Sequence, residues 1–108
     1  WPSEWQRGVL DLCVLHILAD GPTYGYSIAA RLTDAGFADV KGGTLYPLLK
    51  RLEGAGLVDI EWRPGEAGPG RKFYLINTAG RQRLMALTAS WQRYSTTVTR
   101  LLDEGSPS

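Results

Sequence analysis

Apolar residues fill nearly every position early in the chain. Val9, Leu10, Leu12, Cys13, Val14, Leu15, Ile17 and Leu18 follow one another, with only Asp11 and His16 between them. A stretch that is apolar on almost every side, with no Pro and no Gly after Gly8, predicts a buried helix over 4–19. Asp20-Gly21-Pro22 ends it, because Gly suits a helix C-terminus and Pro cannot continue the hydrogen-bond ladder. Thr23 is placed to cap a second, amphipathic helix over 24–35, with Ile28, Ala29 and Leu32 on one side and Gly36 at its end. After a loop over 37–43, Leu45, Leu48, Leu49 and Leu52 recur at i, i+3, i+4 and i+7, the stripe of a core-facing third helix. Pro47 falls in the expected first turn of that helix, where its missing N–H is tolerated.

The period then changes to two. Val58, Ile60 and Trp62 alternate with Asp59 and Glu61, as in a half-buried strand. A turn-rich segment with Pro64, Gly65, Gly68, Pro69 and Gly70 separates it from a partner strand over 72–76, which predicts a hairpin with a long tip. Thr78 can cap a last helix, in which Leu84, Leu87, Trp91, Tyr94, Val98 and Leu101 are spaced 3, 4, 3, 4, 3. That is a heptad seam, and the helix is longer than so small a domain needs, which favours pairing with a second copy. The fold class is therefore mainly α with a two-stranded β wing, an α+β arrangement in the winged helix-turn-helix order.

With 108 residues, 44% of them hydrophobic, the chain can build one core without disulfide or metal staples. The net charge of +1 hides a strong distribution: residues 1–40 carry two Arg against five acids, and residues 41–100 carry ten Lys or Arg against four acids. A basic centre of this kind suggests a polyanion partner. Cys13 is the only cysteine, so no intramolecular disulfide forms and a reducing cytoplasm fits. The apolar run is too short to cross a bilayer, and no basic segment precedes it as in a signal peptide. Cys13 and His16 stand three apart on the first helix, but two ligands make no closed zinc site, and core packing is the expectation for both. No acid pair, nucleophile–base constellation or phosphate loop is present, which argues against an enzyme and leaves no cofactor implied.

Three stretches carry a resemblance: GPTYGYSIAARL, GGTLYPLLKRLEGAGLV and GRKFYLINTAGR. Together with the apolar first helix, they make residues 5–104 resemble the PadR-like regulators, in their smaller subfamily with a single C-terminal helix. Two departures stand out. Tyr24 occupies a position where the family often has His, and Gly42-Gly43 replaces a common Ser-Pro-Gly. The resemblance implies a homodimeric, cytoplasmic, DNA-binding transcriptional regulator, by habit a repressor, with residues 1–77 as the DNA-binding winged helix. Its N-terminal helix would also pack at the dimer interface, residues 78–104 would form the dimerisation helix, and 105–108 a flexible tail.

With the Leu stripe facing inward, Thr44, Tyr46, Pro47, Lys50 and Arg51 are left facing outward to enter a major groove of a palindromic operator. Tyr24, Arg71 and Lys72 complete the expected DNA-binding set, the last two meeting phosphates from the foot of the wing. Leu84, Leu87, Trp91, Tyr94, Val98 and Leu101 form the expected dimer interface. In the smaller PadR-like regulators a flat aromatic molecule slips between aromatic residues at the twofold axis. The resemblance thus implies an effector site at Trp91, with Tyr94, Ser95 and Leu12 beside it. The competing function is a winged-helix protein-interaction module without DNA, against which the net charge of +2 from Lys41 to Gly56 speaks.

Overall fold

The computed structural model describes residues 3–38, 40–65 and 68–104. The expected tip residues 66–67 and the tail 105–108 lie outside them. The elements run α1 (Ser3–Arg7), α2 (Leu10–Ala19), β1 (Thr23–Tyr24), α3 (Gly25–Asp34), α4 (Gly42–Gly54), β2 (Val58–Arg63), β3 (Arg71–Ile76) and α5 (Thr78–Glu104). This is a winged helix-turn-helix with a long last helix, mainly α as expected.

Four local expectations are corrected. The single helix over 4–19 is two helices: the chain breaks at Gly8-Val9, where Val9 N–H donates to the Gln6 carbonyl at 3.0 Å in a tight turn before α2 begins. Thr23 caps nothing. Thr23 and Tyr24 instead form a third strand, pairing antiparallel with Tyr74 and Phe73 of β3, so the sheet order is β1-β3-β2 and the sheet has three strands. Helix α4 begins at Gly42, which puts Pro47 beyond the first turn, where its ring nitrogen has no hydrogen to give the Gly43 carbonyl. The start of α5 is capped by Asn77 and not by Thr78: Asn77 Oδ1 accepts the Gly80 N–H at 2.8 Å.

The core lies where α2, α3, α4 and the sheet meet. Val14, Leu15 and Leu18 of α2 are buried against Ile28 and Leu32 of α3 and the full stripe Leu45, Leu48, Leu49 and Leu52 of α4. Val58 and Tyr74 close it from the sheet side. Trp62 shares their face of the hairpin but is 68% exposed, because the strands outrun the core before reaching it. The first half of α5 packs on α2 and β3, with Leu84 and Leu87 half-buried against the core. Its second half projects, and the molecule measures 61 × 28 × 21 Å. Among the described residues no helix is long and apolar enough to cross a membrane.

Candidate nucleic-acid interface

Helix α4 buries its leucines and therefore presents Thr44, Tyr46, Pro47, Lys50 and Arg51 outward; all are exposed. At its N-terminal end the Tyr46 ring leans toward the start of α3. There it borders a hollow of about 660 Å³ lined by Tyr24, Gly25, Tyr26, Tyr46, Arg71, Lys72 and Tyr74. Four phenol rings and two cations thus converge where β1, α3, α4 and the wing join. Four of the expected DNA-binding residues, Tyr24, Tyr46, Arg71 and Lys72, meet in this notch; Thr44, Pro47, Lys50 and Arg51 do not line it.

The wing holds its cations by aromatic contacts. The Arg71 guanidinium lies over the Tyr24 ring at 4.8 Å, Tyr24 packs on Phe73 at 5.3 Å, and the Arg63 guanidinium lies over Phe73 at 4.3 Å. Such stacking contributes roughly 0.5–1 kcal/mol at exposed sites and fixes the direction of the guanidinium planes. Lys72 Nζ donates to Glu53 Oε1 at 3.2 Å and stands 5.4 Å from the centre of the Tyr74 ring. The hydrogen bond to Glu53 holds the Lys72 ammonium above the ordinary lysine range, so it stays charged. Burial lifts the Tyr74 hydroxyl above the ordinary tyrosine range, so it remains a neutral donor.

Arg51 is committed elsewhere. Its Nη2 donates to Asp11 Oδ1 of α2 at 2.6 Å, tying the far end of α4 to α2 and turning the guanidinium away from the notch. Lys41, Lys50 and Arg71 form no ion pair among the described residues. Tyr26, Tyr74, Phe73 and Arg63 were missed as site residues. Tyr26 had a signal in the Tyr-Gly-Tyr spacing beside Tyr24, and Arg63 in its place opposite Arg71 in a hairpin.

Away from the notch and sharing none of its residues, a groove of about 630 Å³ runs between α1 and the projecting half of α5. It is lined by Trp5, Gly8, Val9, Trp91, Tyr94, Ser95 and Val98, among others. Trp91 and Tyr94 stand with ring centres 6.3 Å apart. Leu12, expected beside them, instead lines a separate hollow with Cys13, His16 and Phe37. Burial raises the Cys13 thiol above its ordinary range, in keeping with a packing role. Among the described residues no group of three or more His, Cys, Asp or Glu side chains could hold a metal.

Comparison with known proteins agrees with this geometry. The model of the transcriptional regulator PadR-like family matches residues 14–86. The transcriptional regulator Rv3488 of Mycobacterium tuberculosis is 40% identical over 81 residues, 75% of this chain and 74% of that protein. A PadR-like transcriptional regulator from Bacillus cereus superposes with a TM-score of 0.83 at 36% identity, covering 92% of this chain and 96% of its own. A PadR family regulator from Eggerthella lenta does so with a TM-score of 0.83 at 37% identity, over 92% and 86% of the two chains. This chain therefore belongs to the PadR-like family of transcriptional regulators, which bind DNA and are not enzymes.

Proposed function

We propose that the protein acts in the cytoplasm as a homodimeric repressor that sets two α4 helices in successive major grooves of a palindromic operator. The observation that carries this reading is the notch, in which Tyr24, Tyr46, Arg71 and Lys72 converge at the exposed end of α4. Hydroxyls and cations grouped in this way suit backbone phosphates, while Thr44 and Lys50 stay free to meet base edges. Arg51 braces α4 to α2 through Asp11 in an exposed pair, as Lys72 pairs with Glu53, and DNA can draw either cation from its carboxylate.

Lys50→Ala is expected to weaken operator binding by ~1–3 kcal/mol and to relax preference for the site. Lys72→Ala weakens every duplex alike and lowers the salt slope by about one. A mobility-shift series against the DNA upstream of the protein's own gene, repeated at several salt concentrations, checks both. Unchanged affinity in both variants removes α4 and the wing from the interface.

An effector would act on the spacing of the two halves. The groove between α1 and α5 supports this reading, because it offers the two indoles of Trp5 and Trp91 and the Tyr94 phenol to a flat guest beside the Ser95 hydroxyl. The guest need only favour one dimer spacing over the other to release the operator. Calorimetric titration with planar aromatic compounds is expected to show binding that Trp91→Ala abolishes while the far-ultraviolet spectrum is kept. Equal binding by both proteins places the pocket elsewhere.

A further inference from the structure

Tyr46 sits in a slot cut by two glycines. A Cβ built on Gly25, the first residue of α3, would lie 2.8 Å from Tyr46 Oη, 2.9 Å from Cε1 and 3.0 Å from Cζ. A Cβ on Gly42, the first residue of α4, would lie 3.3 Å from Cδ2 and 3.4 Å from Cε2 of the same ring. The ring is thus flanked by the bare backbone of two helix starts, although Tyr46 is 54% exposed overall. Ordinary carbon contacts begin near 3.5 Å, so an alanine at Gly25 cannot coexist with the ring where it stands.

The backbone gives no reason for glycine at either place. Among the described residues the positive-φ glycines are Gly21, Gly36 and Gly56, and Gly25 and Gly42 are not among them. Both open helices, where alanine is intrinsically the better residue. Nor does any atom outside the Tyr46 side chain come near the Cβ of Gly25 closely enough to be among its three nearest neighbours. What a side chain at Gly25 would displace is the Tyr46 ring.

We infer that Gly25 is a positioning residue for DNA recognition: its missing side chain, with that of Gly42, seats the Tyr46 ring in one orientation that aims its hydroxyl into the notch at a DNA phosphate. This rests on the DNA-binding reading of the notch. The slot also brings two separate stretches of the sequence together. Tyr24-Gly25-Tyr26 supplies the seat and two further phenols, and Gly42-Gly43-Thr44-Leu45-Tyr46 supplies the occupant. An unseated tyrosine would have to give up side-chain freedom on binding, whereas a seated one has already done so.

The test is a double-mutant cycle on the full chain with Gly25→Ala, Tyr46→Ala and the pair, read by three measurements. In fluorescence anisotropy with labelled operator duplex, Gly25→Ala is expected to cost about tenfold or more in affinity, the scale of a misplaced hydrogen bond to a charged group. In the Tyr46→Ala background the same change is expected to cost less than about twofold, since no ring remains to be displaced. Thermal melting is expected to be unchanged or slightly raised by Gly25→Ala when Tyr46 is absent, as alanine replaces glycine in a helix. In protein labelled with 3-fluorotyrosine, the resonance assigned by its loss in Tyr46→Phe is expected to shift or split in Gly25→Ala. Equal affinity losses in both backgrounds, or an unmoved Tyr46 resonance, overturn the inference by making Gly25 merely structural. A parent protein that binds no duplex overturns the DNA reading of the notch, and with it the role assigned to Gly25; a shifted Tyr46 resonance would then keep the slot only as a packing feature.

Discussion

Replacing both Val98 and Leu101 by aspartate is expected to turn the protein into a monomer and to lower its affinity for a palindromic operator by about a hundredfold or more. The reason lies in how α5 is used along its length. Its 27 residues span ~40 Å at 1.5 Å per residue, and the core covers only the first part of the seam, at Leu84 and Leu87. Farther along the same seam Trp91, Tyr94, Val98 and Leu101 are 43%, 66%, 39% and 67% exposed. An apolar stripe of this regularity, only partly covered by its own chain, is what a heptad seam offers to a partner. Each half-operator alone would be held by one notch and one α4. Pairing makes the second contact intramolecular and multiplies affinity without any new contact to DNA. Buried carboxylates facing one another across a twofold axis cannot be repaid by hydrogen bonds and would split the pair. Sedimentation equilibrium at micromolar concentration, together with binding to full and half operators, checks both parts. A monomeric parent, or an aspartate variant that remains dimeric, sinks the pairing.

What the sequence made readable was whatever repeats with a period. The leucine stripe of α4 is buried as its spacing requires, Val58 and Ile60 of β2 turn inward as their alternation requires, and α5 runs as one helix through the whole seam. What it hid was whatever depends on a partner far along the chain. β1 is two residues long, too short for any period, and exists because β3 offers an edge to it. The break at Gly8-Val9 falls where the polar segment Ser3–Arg7 meets the apolar run, and Gly8 is its one mark in the sequence. Trp62 has the right phase for burial but lies past the end of the core. The Arg51 position on the outer face was read correctly from helical spacing, whereas its bond to Asp11, forty residues away, was not. The notch shows the same division: Tyr24, Tyr46, Arg71 and Lys72 were visible as DNA-binding residue types, but the part played by Tyr26 and Tyr74 and the convergence of all four tyrosines on one hollow are tertiary facts.

Gly80→Ala is expected to destabilise the protein by ~1–3 kcal/mol, although helix propensity alone argues the other way. Alanine in place of glycine inside a helix ordinarily gains up to ~1 kcal/mol. Gly80 is the third residue of α5 and is buried against the hairpin. A Cβ there would collide with the Leu57 carbonyl and lie 2.7 Å from Ile76 Cγ1. The carbonyl cannot simply swing aside, because it accepts the Asn77 N–H at 3.2 Å. Asn77 in turn ties the segment together through its side chain, donating to the Gly56 carbonyl at 2.9 Å and to Asp59 at 3.2 Å while capping Gly80. The helix start must therefore back away from the sheet, which adds the loss of a cap, about 1 kcal/mol, to an overpacking cost of ~1–3 kcal/mol. The sum exceeds the propensity gain. Thermal unfolding is expected to show a melting temperature lower by about 5 °C or more, and urea unfolding a lower midpoint. Ala79→Gly, at the exposed neighbouring position, is expected to cost no more than ~1 kcal/mol and serves as the control. If Gly80→Ala melts with the parent, α5 is not locked to the hairpin at this point. A locked joint would carry any change of tilt in α5 straight into the wing and the notch, so in the surviving fraction of folded Gly80→Ala protein the operator affinity should fall as well.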